Sequence, residues 1–287
     1  MKLQRCRTLL FMPGNNPGML ASAGALGSDV VIFDLEDAVA QNEKDAARIL
    51  VRRTLSEMRP AGVECVVRMN GLDTPYWLAD VAACVQGGAD LIMLPKCEKA
   101  QDLEQVWTAM KESKGEKELP ELMVIVETAK GVENVSAIAA FASSGGPLAG
   151  ILLGAEDLTA DLGARRTPKG DEIFYARSRV LTACKAAGVK AIDTPFPFVT
   201  DLEGLAADAD FAARLGFDGK AVISPHHVHR VKEAFSPTEQ QIDWASRVMA
   251  AARKAEQEGK GAVSLDGMMI DLPIIKRAER ILSMAGN

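Results

Sequence analysis

The sequence predicts an α/β protein built as a (β/α)8 TIM barrel. Short apolar runs rich in β-branched residues alternate with longer segments in which apolar residues recur at helical spacing. There are eight such runs, and they lack polar alternation, which is typical of parallel strands buried on both faces. The length of 287 residues is one at which a single barrel is common.

The order of the runs supports the barrel over an open sheet. Helices are predicted between the strands, for example over 42–58 and 175–188, where Ala, Leu, Arg and Glu recur at helical spacing. An open doubly wound sheet usually carries a GxGxxG turn after its first strand, and the turn here is PGNNPG at 13–18. The predicted strands are 8–14, 29–37, 64–71, 90–96, 121–128, 149–157, 190–196 and 218–225.

The last fifth of the chain lies outside this pattern. A long charged helix is predicted over 237–261, and residues 262–286 indicate a short extended segment followed by another helix. We therefore predict a catalytic barrel domain over 1–235 and a C-terminal helical extension, or cap, over 236–287.

Composition and charge narrow the class of protein. The net charge of -6 provides no basic field for nucleic acid, and no run approaches the roughly 18 apolar residues needed to cross a membrane. The five cysteines are scattered without CxxC spacing, which argues against disulfides and cysteine-ligated zinc. The apolar run at 8–12 is too short for a signal-peptide core. A cytoplasmic protein with reduced thiols is expected.

Polar residues occur where the predicted strands end, which is where barrel enzymes place their chemistry. Several carboxylates at one rim repel one another unless a cation neutralises them. A hard divalent cation such as Mg²⁺, which prefers oxygen ligands, would do so. The strand-end polar residues are Asp34, Glu36, Asp37, Arg68, Asn70, Lys96, Glu127, Glu156, Asp157 and Asp193.

Each of these residues also has a simpler interpretation. Asp157 has the position of a helix N-cap, and Asp34 that of a buried hydrogen-bonded residue. Arg68 suits either a surface position or a clamp for a carboxylate or carbonyl. Lys96 could form a Schiff base with a carbonyl substrate, but its neighbours do not support a depressed pKa, so a structural or electrostatic role is favoured.

Three histidines, His226, His227 and His229, follow the eighth predicted strand. They stand at i, i+1 and i+3 of an expected helix start, so their side chains cannot all face one point. We therefore do not predict a metal site there.

Six sequence blocks, taken in order, resemble the citrate lyase β-subunit-like proteins of the HpcH/HpaI aldolase superfamily. The resemblance covers roughly residues 5 to 225, and SLDGMMIDLPIIKRA at 264–278 extends it. The ETxxG and GAEDL patterns are the most diagnostic. The blocks are RTLLFMPGNNPGML (7–20), VIFDLEDAV (31–39), VVRMNGLDTPY (66–76), IMLPK (92–96), VIVETAKGVEN (124–134) and LLGAEDL (152–158).

The resemblance implies a Mg²⁺-dependent barrel lyase that acts on acyl-CoA thioesters. It implies that Glu127 and Asp157 are the metal ligands, with Glu127 also close to the substrate, and that Arg68 binds the substrate's carboxylate and keto oxygen. Glu36 and Asp37 would hold metal-bound waters. The turn formed by Pro13, Gly14, Asn15 and Asn16 would lie near the CoA arm.

The C-terminal extension has its own implied role. Asp271, or its neighbour Asp266, resembles an acidic residue that members with this extension insert into the active site of a neighbouring subunit, so a homotrimer is expected. Such an extension favours a free-standing enzyme over a subunit of a larger lyase complex. The sequence departs from the pattern of that family at two places. ISP stands at 223–225, where members of the family often have IHP, and the first turn has few basic residues for CoA phosphates.

The predicted activity is cleavage or formation of a C–C bond in a malyl-CoA or citramalyl-CoA-type 3-hydroxyacyl thioester, giving a 2-keto acid and an acetyl-CoA-type product. Four alternatives stay open. They are a malyl-CoA thioesterase or malate-synthase-like activity, a citrate lyase β subunit, a CoA-independent keto-acid aldolase, and a non-catalytic protein that uses the barrel as a scaffold.

Overall fold

Eight parallel strands form a closed barrel in which each strand pairs with the next along the chain and β8 pairs with β1. The computed structural model describes residues 3–257 and 263–285. The predicted barrel is confirmed, and the open sheet is excluded because the edge strands pair. The strands are β1 (Thr8–Pro13), β2 (Val30–Asp34), β3 (Glu64–Arg68), β4 (Leu91–Leu94), β5 (Glu121–Val126), β6 (Leu148–Leu153), β7 (Lys190–Asp193) and β8 (Gly219–Val222).

Helices connect the strands, as parallel pairing requires. The two helices predicted over 42–58 and 175–188 are confirmed within two residues at each end. Short 3₁₀ turns precede or follow some helices, at Ala23–Ala25, Gln41–Glu43 and Asp171–Ile173. The helices are α1 (Pro17–Ser22), α2 (Lys44–Glu57), α3 (Trp77–Gly87), α4 (Ala100–Ser113), α5 (Ala129–Ser143), α6 (Ala155–Asp161), α7 (Phe174–Ala187), α8 (Leu202–Leu215), α9 (Pro225–Ala234), α10 (Glu239–Gln257) and α11 (Leu272–Ala285).

Alternate residues of the strands fill the barrel, because successive side chains of a strand point to opposite faces. Apolar residues of this inward set are buried, including Ile32, Val66, Ile125 and Ile192. Two residues further along each of these strands the inward side chain becomes polar. The polar residues that continue the inward set are Asp34, Arg68, Glu127 and Thr194.

Among the described residues, 3–232 form one compact unit, and 233–257 with 263–285 form a second. The boundary lies three residues before the predicted one at 235. In the second unit, α10 and α11 are joined through an antiparallel hairpin of β9 (Val263–Leu265) and β10 (Met268–Ile270). Its small apolar core contains Ala245, Val248, Ile270 and Ala278. The predicted extended segment and final helix are confirmed, and residues 258–262 lie outside the described ranges.

No helix within 3–257 or 263–285 is long and apolar enough to span a membrane.

Candidate active site

A cavity of about 450 Å³ opens at the carboxyl end of the barrel strands. Among the residues that the structure describes, five that line the cavity carry carboxylates and one, Arg68, carries a positive charge. Such a cavity is large enough for a small organic acid or the acyl end of a thioester. The cavity is lined by Phe11, Met12, Pro13, Asp34, Asp37, Ala38, Arg68, Ile125, Glu127, Leu152, Gly154, Ala155, Glu156, Asp157, Thr194, Pro195 and Ile223.

Glu127 follows β5 and is almost fully buried in this cavity, with 4% of its surface exposed. The backbone N–H of Lys96 donates to Glu127 Oε1 at 2.8 Å. The pKa of Glu127 is raised to about 7, chiefly by burial. The hydrogen bond from Lys96 and the charge of Arg68 lower this pKa, and the negative charges of Glu36 and Asp157 add to the rise. The carboxylate of Glu127 is therefore held in place next to other acids.

Asp157 is the third residue of α6 and lies half-buried in the same cavity. It reaches the cavity from the turn after β6, and β6 is the strand that pairs with β5. Glu127 and Asp157 therefore enter from adjacent strands.

Oxygen donors from this pair of residues suit Mg²⁺, which takes one or two carboxylates and completes its shell with water and substrate oxygens. The described parts of the chain contain no group of three or more His, Cys, Asp or Glu side chains arranged to hold a metal. A cation here would accordingly depend on non-protein ligands. The raised pKa of Glu127 comes first from burial and then from the charges of Glu36 and Asp157, and a divalent cation would offset both by favouring the ionised carboxylate.

Arg68 stands at the end of β3 and is fixed by Asp34 at the end of β2. Its Nε donates to Asp34 Oδ1 at 2.7 Å, and one terminal nitrogen donates to the other carboxylate oxygen. The second terminal nitrogen lies 2.8 Å from Glu36 Oε2 and 3.4 Å from Asp37 Oδ2. The ring of Phe11 lies under the guanidinium, with its centre 5.2 Å away.

Asp34 is buried and also accepts the backbone N–H groups of Glu36 at 2.8 Å and Ala38 at 3.1 Å. These contacts agree with the simpler interpretation of Asp34, in which it is a buried, hydrogen-bonded residue. Its carboxylate shapes the loop after β2 and holds the Arg68 guanidinium at the cavity wall.

Glu36 and Asp37 differ in exposure although they are adjacent. Glu36 is buried and Oε1 accepts from Lys96 Nζ at 3.0 Å, whereas Asp37 is exposed at the cavity mouth. Burial raises the pKa of Glu36, and the charge of Asp37 adds to this while Arg68 opposes it. The two carboxylates thus face a common region with Arg68 between them.

Lys96 has a backbone φ of 51°, a left-handed conformation that costs a non-glycine residue about 1 kcal/mol. That conformation accompanies the donation of its N–H to Glu127. Burial alone would lower the pKa of Lys96, but the hydrogen bond and charge of Glu36 raise it. A protonated ammonium is not a nucleophile, so these contacts match the electrostatic role and not the Schiff base.

The first turn contributes one of its four candidate residues, Pro13 to Asn16, to the cavity. Pro13 lines it. Gly14 is buried against β2, where its N–H donates to Asp34 O at 2.8 Å and a Cβ would lie 2.7 Å from that oxygen. The Asn15 side-chain amide donates to Glu43.

Asp193 lies away from the rim carboxylates, contrary to the strand-end grouping. It is fully buried and accepts from Arg177 Nε at 2.9 Å and Lys220 Nζ at 2.7 Å. Asp208 on α8 completes this group of four charges, with contacts of 2.6 Å to both cations. Asp193 follows the inward-facing Ile192, so its side chain points outward to the helix layer.

The three histidines diverge, as their spacing indicates. His227 is buried and its Nε2 lies 3.0 Å from the carbonyl oxygen of Val199, whereas His226 and His229 are exposed.

The two candidate C-terminal acids have different local contacts within the second unit. Asp271 is exposed and its Oδ1 accepts the N–H of Ile274 at 3.2 Å at the start of α11. Asp266 occupies the β9–β10 turn with a φ of 52° and pairs with Arg247.

Thr194 and Phe11 line the cavity and were not among the predicted site residues. The alternation of side chains along a strand, with a period of two residues, could have identified both residues from the sequence. Thr194 stands two residues after the inward-facing Ile192, and Phe11 two residues after the inward-facing Leu9.

A parallel barrel with buried carboxylates and a fixed arginine at the carboxyl end of its strands has the architecture of a barrel enzyme. The family model for HpcH/HpaI aldolase/citrate lyase matches residues 7–225. The chain belongs to this family, which confirms the resemblance drawn from the sequence blocks.

Individual relatives cover almost the whole chain. Citrate lyase subunit beta of Leuconostoc mesenteroides subsp. cremoris is 41% identical over 283 residues, which are 97% of this chain and 93% of the relative. The mitochondrial citramalyl-CoA lyase of Rattus norvegicus is 35% identical over 97% of this chain and 86% of its own length. The crystal structure of protein CitE from Mycobacterium tuberculosis with magnesium, acetoacetate and coenzyme A is 34% identical, with a TM-score of 0.82 and 99% of each chain covered.

Proposed function

We propose that this chain is a Mg²⁺-dependent acyl-CoA lyase that cleaves or forms a C–C bond in a malyl-CoA or citramalyl-CoA-type thioester. The products of cleavage are a 2-keto acid and an acetyl-CoA-type thioester. The observation that carries the proposal is that Glu127 and Asp157 enter one cavity from adjacent strands, with Arg68 in the same wall. A relative is a citramalyl-CoA lyase, and a solved relative contains magnesium with a keto acid and coenzyme A.

Glu127 and Asp157 are the proposed ligands of the cation. When bound there, Mg²⁺ would supply Lewis-acid stabilisation of negative charge on substrate oxygens. Glu127 must be ionised to act as a ligand, and the cation's own charge favours that form.

Arg68 is the proposed substrate clamp. Because Asp34 fixes the guanidinium through two hydrogen bonds, Arg68 is oriented before the substrate arrives. Its second terminal nitrogen, which faces Glu36 and Asp37, is the group that would contact the substrate's carboxylate and the oxygen that gains charge during cleavage.

Proton transfer at both ends of the breaking bond needs further groups. The substrate hydroxyl must lose a proton, and the α-carbon of the departing thioester must gain one. We assign Glu36 and Asp37 to the waters near the hydroxyl, with Lys96 holding Glu36 in place. Asp271 of a neighbouring copy, in a trimer, is the proposed acid at the α-carbon, and Pro13, Gly14 and Asn15 the proposed turn along the CoA arm.

The activity is tested with a panel of malyl-CoA, citramalyl-CoA and β-methylmalyl-CoA, assayed with Mg²⁺ and with EDTA. Keto acid and acyl-CoA are followed together and should appear in equal amounts only with Mg²⁺. Free CoA as the main product would instead establish a thioesterase. Turnover of free hydroxy or keto acids with no CoA requirement would establish the aldolase alternative.

Asp157→Ala tests the metal assignment. The substitution removes one of the proposed protein ligands, so Mg²⁺ binding and lyase activity should be abolished while the barrel stays folded. Isothermal titration with Mg²⁺, the lyase assay and circular dichroism check this. Asp161→Asn is the matched control, because Asp161 lies in the same helix but accepts the N–H of Ala129 outside the cavity. Lyase activity with a normal dependence on Mg²⁺ in Asp157→Ala would show that Asp157 is not a metal ligand.

The second candidate function is that of a citrate lyase β subunit, favoured by the 41% identity to such a subunit. A subunit of this kind would be slow on free acyl-CoA and would need a partner that presents the acyl group. The panel above, run with the purified chain alone, separates the two functions, because the proposed enzyme should turn over without another protein.

A further inference from the structure

The helix that carries Asp157 begins at a residue that cannot cap it. Helix N-caps are usually Ser, Thr, Asp or Asn, whose side chains accept a backbone N–H of the first turn. Here the N-cap of α6 is Gly154, which has no side chain to do so. A Cβ at position 154 would lie 2.5 Å from Glu127 Oε2 and 2.6 Å from Glu127 Cβ, so the proposed ligand Glu127 excludes any larger residue.

The acceptor comes from a different strand end. The N–H of Ala155, the first residue of α6, donates to the hydroxyl oxygen of Thr194 at 3.1 Å. Thr194 follows β7, is fully buried, and lines the cavity together with Ala155. An unpaired N–H in so buried a place would be costly. The Thr194 hydroxyl therefore acts as the cap that Gly154 cannot provide.

The position of Thr194 is itself held by the buried charges behind it. Lys220 Nζ donates to the Thr194 carbonyl oxygen at 2.7 Å while it also binds Asp193 at 2.7 Å and Asp208 at 2.6 Å. Lys220 is fully buried, so these contacts are protected from water. A chain of contacts thus runs from the helix layer through Lys220 and Thr194 to the first N–H of α6.

We propose that Thr194 is a positioning residue, whose hydroxyl sets the turn between β6 and α6 and thereby places the Asp157 carboxylate opposite Glu127. The proposal rests on the proposed function, since it gives Asp157 a cation to hold. It adds a residue that is not one of the two proposed ligands. Residues that orient metal ligands typically change metal affinity by about 10- to 100-fold when they are replaced.

Two substitutions at position 194 separate capping from packing. Thr194→Val keeps the shape of the side chain and removes the acceptor, whereas Thr194→Ser keeps the acceptor and removes a methyl group. The control is Thr159→Val, because Thr159 is also a buried threonine but lies inside α6, where its hydroxyl donates to carbonyl oxygens of the same helix. The Ala155 N–H keeps its partner in that control.

Binding of Mn²⁺ to the metal-free protein, followed by electron paramagnetic resonance, is the first measurement. Thr194→Val should weaken Mn²⁺ binding at least about 10-fold, while Thr194→Ser and Thr159→Val stay within about threefold of the original protein. Amide hydrogen exchange at Ala155, measured by NMR without metal, is the second. It should accelerate at least about 10-fold in Thr194→Val alone, with other barrel amides unchanged.

The outcomes distinguish this inference from the proposed function. If the original protein binds Mn²⁺ and Thr194→Val binds it equally well, the positioning role is overturned and the metal site stands. Equal losses in Thr194→Val and Thr194→Ser would also overturn it, because packing and not the hydroxyl would then decide the affinity. If the original protein binds no Mn²⁺, both the proposed function and this role fail.

Discussion

At the scale of single residues, the burial of Glu127 lowers the stability of the metal-free protein and leaves a carboxylate placed to bind a cation. Its carboxylate is buried and adjacent to Glu36 and Asp157, and its pKa is about 7 where an exposed glutamate titrates near 4.5. Between these two pH values the folded protein holds a proton that the unfolded chain has released. Stability therefore falls as pH rises through this window and stays lower above it.

Replacing Glu127 by Gln should stabilise the metal-free protein at pH 8. The neutral amide keeps an oxygen for the Lys96 N–H and removes an ionisation cost of up to about 3 kcal/mol. The gain should shrink as the pH is lowered toward 5, because the glutamate is then protonated in the fold. Urea unfolding in EDTA at pH 8 and pH 5 measures both differences.

Glu57→Gln at the exposed end of α2 is the control for that measurement, and it should leave the free energy of unfolding nearly unchanged. A Glu127→Gln protein less stable than the original at pH 8 would contradict the account of a buried, uncompensated carboxylate.

At the scale of elements, the sequence predicted every barrel strand and the helices over 42–58 and 175–188, because continuous apolar runs and helical spacing are local signals. The strand-end pattern places Asp193 with the rim carboxylates, because a position at the end of a strand does not by itself show which face the side chain takes. Strand parity assigns Asp193 to the outside and Thr194 to the cavity. The partners of Asp193, Arg177 and Lys220, are 16 and 27 residues away, and no local pattern pairs them.

Closure of the barrel depends on one glycine of β8. A Cβ on Gly219 would lie 1.6 Å from the carbonyl oxygen of Cys6, which precedes β1. Gly219→Ala should therefore force β8 and β1 apart and destabilise the protein by about 3 kcal/mol or more. The midpoint of urea unfolding measures this loss.

Gly18→Ala provides the contrast within the same barrel. A Cβ at position 18, inside α1, would meet only Asn16 Oδ1 at 3.5 Å, an ordinary contact. Alanine also favours the helix by about 1 kcal/mol over glycine, so this variant should be as stable as the original or more so. Equal stability of the two alanine variants would refute the steric account of closure.

At the scale of the whole molecule, the two ends of the barrel have different electrostatics. At the amino end the carboxylate of Asp29 is matched by Arg7 at 2.9 Å and Lys232 at 3.0 Å. At the carboxyl end, within the described part of the chain, five acidic residues and one arginine line the cavity. Paired charges at one end fit a structural role, and the unbalanced acids at the other fit the capture of a cation, as in barrel enzymes generally.

The second unit matters at this scale because the proposed acid, Asp271, belongs to it, and the proposal places that acid at the cavity of a neighbouring copy. Asp271→Asn should lower turnover by about 100-fold and leave Mg²⁺ binding intact, which is the range of a general acid. Asp157→Ala should lose both. Each variant keeps the group that the other has lost.

Mixed oligomers of the two variants should therefore regain activity. An active site forms where a subunit with intact Asp157 receives Asp271 from an Asp157→Ala neighbour. Every mixed trimer contains one such junction among its three sites, so the purified mixed trimers should regain about a third of the original activity per site. Co-expression with two affinity tags, purification of the mixed species and the lyase assay measure this.

Asp266→Asn mixed with Asp157→Ala tests the competing acid. If Asp271 acts, Asp266→Asn alone should stay active; if no mixture exceeds its parents, the acid works within its own chain.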